Sequence, residues 1–213
     1  MRRLAATLVL LALALPRAGH AEDTAGEFAY YVLALSWNAA WCRVEGDARL
    51  AEQCDPRHNI GFVLHGLWPQ HEDGWPEYCA TEHRDPAPRE AAAMAGLMGS
   101  DELAFHAWSR HGRCSGLDPT SYYALSRKAW ELIERPGLLR RIDRPMRLDP
   151  EVVEQAFMEA NPGLTPDQIT VTCRDGLFRE VRICLTRDLL RRPCTGPAAR
   201  ECTLDQVVFT PMR

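Results

Sequence analysis

The chain has 213 residues, eight cysteines and a formal net charge of −4 at pH 7. Its length suffices for one domain with a hydrophobic core. The acidic balance excludes the broadly basic surface of proteins that coat nucleic acid, so any attraction for a polyanion must be local, within a cleft.

Residues 1–21 have the features of a secretory signal peptide: a basic start, an apolar run at 4–15, and small residues before a cleavage point after Ala21. The alternative, a membrane anchor, is disfavoured because spanning a bilayer takes about 20 apolar residues. Cleavage removes three arginines and makes the net charge −7. We therefore expect a single exported domain at 22–213, periplasmic or secreted, with no membrane segment.

Strands and helices are predicted from the hydrophobic pattern and from turn residues. Asp118 and Asp149 each precede a proline, which is typical of a helix start. Asp175-Gly176 predicts the tight turn of a hairpin. The elements do not alternate regularly, which predicts an α+β fold with a central antiparallel β-sheet packed by several α-helices. In chain order they are strands at 28–37 and 60–67, helices at 89–98, 102–111, 119–134 and 149–160, strands at 168–174 and 178–186, and a short strand at 207–210.

All eight cysteines follow the predicted cleavage point, and an even number in an exported chain indicates disulfide bonds. Metal binding is the alternative, but no C-x-x-C pair occurs and the spacings are wide and irregular. The spacing alone does not choose among the possible pairings. The cysteines are Cys42, Cys54, Cys79, Cys114, Cys173, Cys184, Cys194 and Cys202.

Three of the seven histidines lie in two dense motifs. His65 opens HGLWPQ after an apolar strand, and His106 and His111 bracket a predicted helix in FHAWSRHGRC. Of the other four, one lies in the predicted signal peptide and three lie in polar, loop-like sequence, where we expect ordinary surface histidines. Those four are His20, His58, His71 and His83.

Cleavage of RNA without a metal needs the groups that these motifs supply. The ribose 2′-hydroxyl must lose a proton as it attacks phosphorus, and the leaving 5′-oxygen must gain one. Histidine titrates in the required range, and arginine offers a fixed charge with a donor geometry matched to phosphate. His106 and Arg110 share one helix face, while Gly112 can end the helix just after His111, so a phosphate across the helix end can contact both histidines.

A purely structural role is the alternative for each of these histidines. His106 and His111 can cap or pack a helix, and His65 can be a hydrogen-bonded core histidine. Three histidines in two motifs, beside Trp68, Trp108 and Arg110, favour the functional interpretation.

The two motifs resemble the active-site segments of the ribonuclease T2 family. HGLWPQ at 65–70 is similar to the first, and HAWSRHGRC at 106–114 is similar to the second, which usually reads HEWxKHGTC. LALSWNAAWC at 33–42 resembles the N-terminal strand of the family. Tyr122-Tyr123, Cys173 and EVRIC at 180–184 also fit, so the resemblance covers nearly all of the mature chain in the same order.

The resemblance implies a role for each matching residue. His65 and His111 correspond to the general acid and base pair, with His111 favoured as the base. His106 corresponds to a histidine that contacts phosphate, and Arg110 replaces the usual lysine and keeps its charge. Trp68 corresponds to an aromatic that stacks a base, although it can equally be a core tryptophan. Weaker candidates for base contacts, which can also be loop or packing residues, are Gln70, Trp75 and Tyr78.

The resemblance also implies four disulfides, no cofactor and no metal. The pair Cys79–Cys114 would hold the two motifs together, and each cysteine has a structural role rather than a nucleophilic one. The implied pairs are Cys42–Cys54, Cys79–Cys114, Cys173–Cys202 and Cys184–Cys194.

One departure from the family pattern separates the functional hypotheses. Ala107 stands where the family has a glutamate. The first hypothesis is a metal-independent endoribonuclease, monomeric, that cleaves single-stranded RNA but not DNA, with low base specificity and through a 2′,3′-cyclic phosphate. The second is a binding or signalling protein on the same fold with impaired catalysis. The third, a histidine-based zinc protein, lacks the usual ligand spacing.

Overall fold

The structure is a computed structural model that describes residues 23–213, so the predicted signal peptide lies outside the described residues. The centre of the fold is one six-stranded sheet. Its strands are β1 (Tyr30–Trp37), β2 (Phe62–Gln70), β3 (Met146–Leu148), β4 (Ile169–Arg174), β5 (Leu177–Leu185) and β6 (Val207–Phe209). They lie in the order β2-β1-β5-β6-β3, and β4 pairs with β5.

Helices and short helical turns pack around this sheet, and the predicted α+β class is confirmed. The strand pairs are antiparallel except for a single parallel contact between β5 and β6, at Leu177 and Val208. The helices are α1 (Asn38–Trp41), α2 (Pro88–Ala92), α3 (Ala95–Met98), α4 (Asp101–Arg110), α5 (Pro119–Glu131) and α6 (Pro150–Ala160).

Strand β1 is the centre of the core because it lies between β2 and β5. Its side chains alternate between two buried faces, as the pleat of a strand requires. Leu33, Leu35 and Trp37 belong to the main core, whereas Val32 and Ala34 lie in a smaller cluster on the opposite face. Burial on both faces explains why β1 is apolar along almost its whole length.

The predicted helix starts and hairpin turn are present. The Asp118 carboxylate accepts hydrogen bonds from the first backbone N–H groups of α5, and Asp149 does the same for α6. Asp175 and Gly176 both have positive φ, 54° and 75°, as a two-residue hairpin turn between right-twisted strands needs.

Several predicted boundaries were wrong. The helix predicted at 89–98 is two short helices, because the chain tightens where the Met94 N–H bonds to the carbonyl of Ala91. Strand β2 continues three residues beyond the prediction through Pro69, which is tolerated because β2 is an edge strand. Strand β3 was not predicted, since its three residues carry no periodicity that a sequence reading can detect.

Four disulfides join the pairs that the resemblance implies: Cys42–Cys54, Cys79–Cys114, Cys173–Cys202 and Cys184–Cys194. Their Cα–Cα distances of 5.1–5.5 Å are ordinary for disulfides. Over residues 23–213, no helix combines the length and the apolar character needed to cross a bilayer.

Candidate active site

A cleft of about 240 Å³ lies where the C-terminal end of α4 meets β2 and β5. Residues of both sequence motifs line this cleft, those of the first motif from strand β2 and those of the second from helix α4 and its C-terminal end. The polar and aromatic side chains that line the cleft and enter the argument below are His65, Trp68, His106, Arg110, His111 and Arg182.

His65 occupies a β-bulge in β2. Gly66 pairs with Ala34 of β1 and Leu64 pairs with Leu35, so His65 is an extra residue without a direct partner on β1. A bulge locally redirects a side chain, and here it leaves the imidazole partly exposed on an otherwise buried strand. His65 therefore lies within β2, inside the strand that was predicted at 60–67.

His111 lies just beyond the last residue of α4. Its N–H still bonds to the carbonyl of Ala107 at 3.0 Å, but its φ of −121° takes the chain out of the helix. Gly112 does not adopt a left-handed conformation, and a Cβ there would lie 2.7 Å from the Trp108 ring and 2.8 Å from the Tyr122 ring. Gly112 is thus required by close packing at the helix end, which was not expected from the sequence.

Trp68 separates the two catalytic candidates. Its ring lies 4.9 Å from that of His111 in a stacked arrangement and 5.0 Å from that of His65, edge to face. Gly66 makes room for this position, since a Cβ there would lie 2.3 Å from Trp68 Nε1. One face of the indole is therefore covered by His111, so Trp68 orients the histidines in addition to lining the cleft.

His111 is held in its neutral form. The residue is only 8% exposed, and burial, reinforced by the positive charge of Arg110 and by His65 and His106, lowers its pKa to about 3. Its Nδ1 is buried and has no hydrogen-bond partner among the described residues. A neutral imidazole at mildly acidic pH can accept a proton, which is what a general base must do.

The low pKa of His111 predicts a contribution to acid sensitivity. Between pH 6.5 and about 3 the unfolded chain binds a proton that folded His111 does not, so stability falls as the pH falls through this range. We expect His111→Gln to lose less free energy of unfolding between pH 7 and pH 4 than the parent protein. Urea unfolding at the two pH values measures the difference, with His58→Gln, a change at an exposed histidine, as control. If His111→Gln and the parent lost the same free energy of unfolding between pH 7 and pH 4, the low pKa of His111 would be contradicted.

Arg110 and His106 form the helix side of the cleft. His106 is exposed, and partial burial together with the charge of Arg110 lowers its pKa. The Arg110 Nε donates to Glu77 Oε2 at 2.7 Å, and the Arg110 carbonyl accepts from the Tyr78 N–H at 2.8 Å. With the disulfide Cys79–Cys114, these contacts fasten the segment after HGLWPQ to the end of α4.

The predicted base-contact residues are not equivalent in the structure. Gln70 and Trp75 line the cleft, Gln70 buried and Trp75 44% exposed. The Gln70 amide already donates to the carbonyl of Pro69 at 2.8 Å. Tyr78 is 56% exposed, lies outside the cleft lining and has a positive φ of 54°.

Two charged residues of β5 were missed by the sequence interpretation. Glu180 is buried, and its Oε2 lies 2.6 Å from His65 Nδ1 while its Oε1 accepts from Arg182 Nε at 2.8 Å. Burial alone would raise the pKa of Glu180, but His65 and Arg182 outweigh it and lower the pKa to about 2. The detectable signal was an acid and a base two residues apart inside an apolar strand.

Within residues 23–213, no group of three or more histidine, cysteine, aspartate or glutamate side chains is arranged to hold a metal ion.

Known proteins with similar sequences are ribonucleases, and the solved structures with a similar fold include ribonucleases. A ribonuclease from Aeromonas hydrophila is 36% identical over 184 residues, which cover 84% of this chain and 82% of that protein. Ribonuclease I of Escherichia coli (strain K12) is 27% identical over 137 residues, 46% of this chain and 51% of that protein. The solved structure of trichomaglin, an S-like ribonuclease, has the same fold, with a TM-score of 0.65 and 20% identity over 88% of this chain and all of that one.

The sequence model of the ribonuclease T2 family matches residues 28–192, which include every histidine of the cleft. The structure places the two family motifs on opposite sides of one cavity, with Trp68 between His65 and His111. The chain belongs to the ribonuclease T2 family of endoribonucleases.

Proposed function

We propose that this protein cleaves single-stranded RNA by attack of the ribose 2′-hydroxyl on phosphorus. The reaction gives a 2′,3′-cyclic phosphate and then a 3′-phosphate, needs no metal and has low base specificity. The observation that carries the proposal is the placement of His65 and His111 in one cleft, where His65 Nδ1 contacts the Glu180 carboxylate and His111 is buried and neutral.

His111 is the general base of the proposed reaction. Burial keeps its imidazole neutral at mildly acidic pH, so it can take the proton of the 2′-hydroxyl. His65 is the general acid, because its Nδ1 is engaged by Glu180 and its Nε2 is left to protonate the leaving 5′-oxygen. Two titratable groups in contrasting environments are the usual basis of an acid and base pair.

The charge that develops on the phosphate oxygens is stabilised from the helix side. Arg110 is anchored through its Nε to Glu77, which leaves its terminal nitrogens for phosphate. His106 on the preceding turn faces the same cleft. Fixed donors of this kind stabilise a transition state without having to reorganise during the reaction.

Base binding is assigned to the rest of the cleft wall. Trp75 is exposed and can stack a base of any identity, and Gln70 lines the same cleft. Stacking with few hydrogen bonds gives low base specificity.

The monomeric state and the export of residues 22–213 remain part of the proposal, and the four disulfides support an oxidising compartment.

The second candidate, a binding protein with impaired catalysis, rests on Ala107. This residue lines the cleft and is buried, so the helix presents no carboxylate there. We expect Ala107→Glu to change the rate or the pH profile of cleavage, since an added anion beside His111 favours imidazolium. Initial rates from pH 4 to pH 8 measure this. An unchanged rate and an unchanged profile would mean that residue 107 has no part in the reaction.

The function is tested by incubating oxidised mature protein with single-stranded RNA and with DNA of the same sequence in excess EDTA. The proposal predicts cleavage of the RNA only, and no cleavage by a His65→Ala sample prepared in parallel. RNA that is bound but intact across the pH range would favour the binding protein. Activity that EDTA abolishes would favour a metal enzyme.

A further inference from the structure

Glu180 is a buried carboxylate of strand β5 that contacts His65, although β5 carries neither sequence motif. Ser36 Oγ of β1 donates to its Oε2 at 3.0 Å, and the same oxygen lies 2.6 Å from His65 Nδ1. The other oxygen accepts from Arg182 Nε at 2.8 Å. Both oxygens are therefore engaged, and the carboxylate is fixed from three sides.

The sheet order creates this contact. Ser36 of β1 pairs with Glu180 of β5 on one side and with Val63 of β2 on the other, so β1 lies between Glu180 and β2. His65, the bulged residue of β2, reaches across β1 to contact Glu180. Glu180 and His65 are 115 positions apart in the sequence, and only this register joins them.

We propose that Glu180 is the positioning residue of His65: it holds the imidazole with Nδ1 as donor to the carboxylate and so directs Nε2 at the leaving oxygen. The proposal rests on the proposed function, because it assigns to His65 the role of general acid. A carboxylate that accepts from one imidazole nitrogen fixes the tautomer and the ring orientation.

The surroundings of Glu180 suit this task. Because His65 and Arg182 lower its pKa to about 2, the carboxylate stays ionised at the acidic pH where His111 is still neutral. With Ala107 in place of the family's glutamate, the helix side of the cleft has no carboxylate at this position. Glu180 provides a carboxylate from the sheet side, and this carboxylate contacts His65 rather than His111.

The leaving group of the substrate distinguishes positioning of the acid from a general structural role. A dinucleotide has a poor alkoxide leaving group and needs a proton from the acid. A uridine 3′-(4-nitrophenyl) phosphate has a good leaving group and needs little help, whereas both substrates need the base equally. The ratio of kcat for the two substrates in one preparation does not depend on the folded fraction.

We expect Glu180→Gln to lower kcat for a dinucleotide by at least about tenfold, with KM little changed, since a general acid contributes about 10²- to 10⁴-fold. The same variant should lose less than about threefold on the nitrophenyl ester. His65→Ala should show the same selective loss, and His111→Ala should lose activity on both substrates. Glu154→Gln, which makes the same substitution at another buried glutamate that lies on α6 and outside this cleft, should match the parent.

Glu180→Asp keeps the charge on a shorter side chain and serves as the second variant if Glu180→Gln does not fold. We expect it to retain more dinucleotide activity than Glu180→Gln. In the parent, an exchange-protected Nδ1–H proton of His65 should be visible by NMR and should be lost in Glu180→Gln. A parent-like substrate ratio in both Glu180 variants, with His65→Ala still selective, would overturn the positioning role alone. A parent that cleaves neither substrate would overturn the proposed function instead.

Discussion

His111→Ala is expected to lower kcat for single-stranded RNA by about 10²- to 10⁴-fold, the usual contribution of a general base. His111 is 8% exposed, and its environment keeps the imidazole neutral where the 2′-hydroxyl must be deprotonated. Alanine removes the proton acceptor and keeps the backbone hydrogen bond from residue 111 to the carbonyl of Ala107. Steady-state cleavage of a fluorescent oligoribonucleotide at mildly acidic pH measures the effect.

The control for His111→Ala is His58→Ala. His58 is exposed and lies outside the cleft, so its removal should leave kcat and KM unchanged. Circular dichroism and the disulfide content of both variants establish that they fold. A folded His111→Ala protein with more than about a tenth of the parent kcat would contradict the assignment of His111 as base.

Gly66→Ala is expected to have the second largest effect, although Gly66 carries no chemistry. A Cβ at this position would lie 2.3 Å from Trp68 Nε1, closer than any real contact allows. The indole must move, and it packs against both His65 and His111. Displacement of catalytic groups by about 1 Å can cost about 10²-fold in rate, and overpacking costs about 1–3 kcal/mol in stability.

Gly96→Ala is the matched control for this substitution. Gly96 is exposed on α3, and a Cβ there meets nothing within 4 Å. Because alanine is the better helix former, this variant should gain about 0.5–1 kcal/mol of stability and keep full activity. Kinetics and urea unfolding of the two variants make the comparison. If Gly66→Ala matched Gly96→Ala in rate and stability, Trp68 would not orient the histidines.

The sequence was sufficient for the parts of the fold that local patterns determine. The apolar β1, the hairpin turn at Asp175-Gly176 and the helix starts at Asp118 and Asp149 each depend on neighbouring residues, and the structure has all of them. Strand β3 depends instead on pairing with β6, which is distant in the sequence. Its three residues acquire strand geometry only from that partner.

The same distinction holds for the site. HGLWPQ and HAWSRHGRC predicted the cleft residues His65, Trp68, His106, Arg110 and His111, because the chemistry of each motif is contained in a few consecutive residues. Arg182 reaches the cleft and Glu180 reaches His65 only through the register of three strands. An acid and a base two residues apart in an apolar strand do not show which residue they contact. The stacking of Trp68 on His111 also depends on tertiary packing, so the sequence could not separate a base platform from a core tryptophan.

The most direct test of the account uses an oligonucleotide of 2′-deoxy residues with one ribonucleotide at a known position. The oxidised mature protein is added in excess EDTA at mildly acidic pH, and the ends of the products are identified by mass spectrometry. Attack by the 2′-hydroxyl predicts one cut, on the 3′ side of the ribonucleotide, with a 2′,3′-cyclic phosphate that converts to a 3′-phosphate. Cuts at deoxy positions, or products with a 5′-phosphate, would contradict the account.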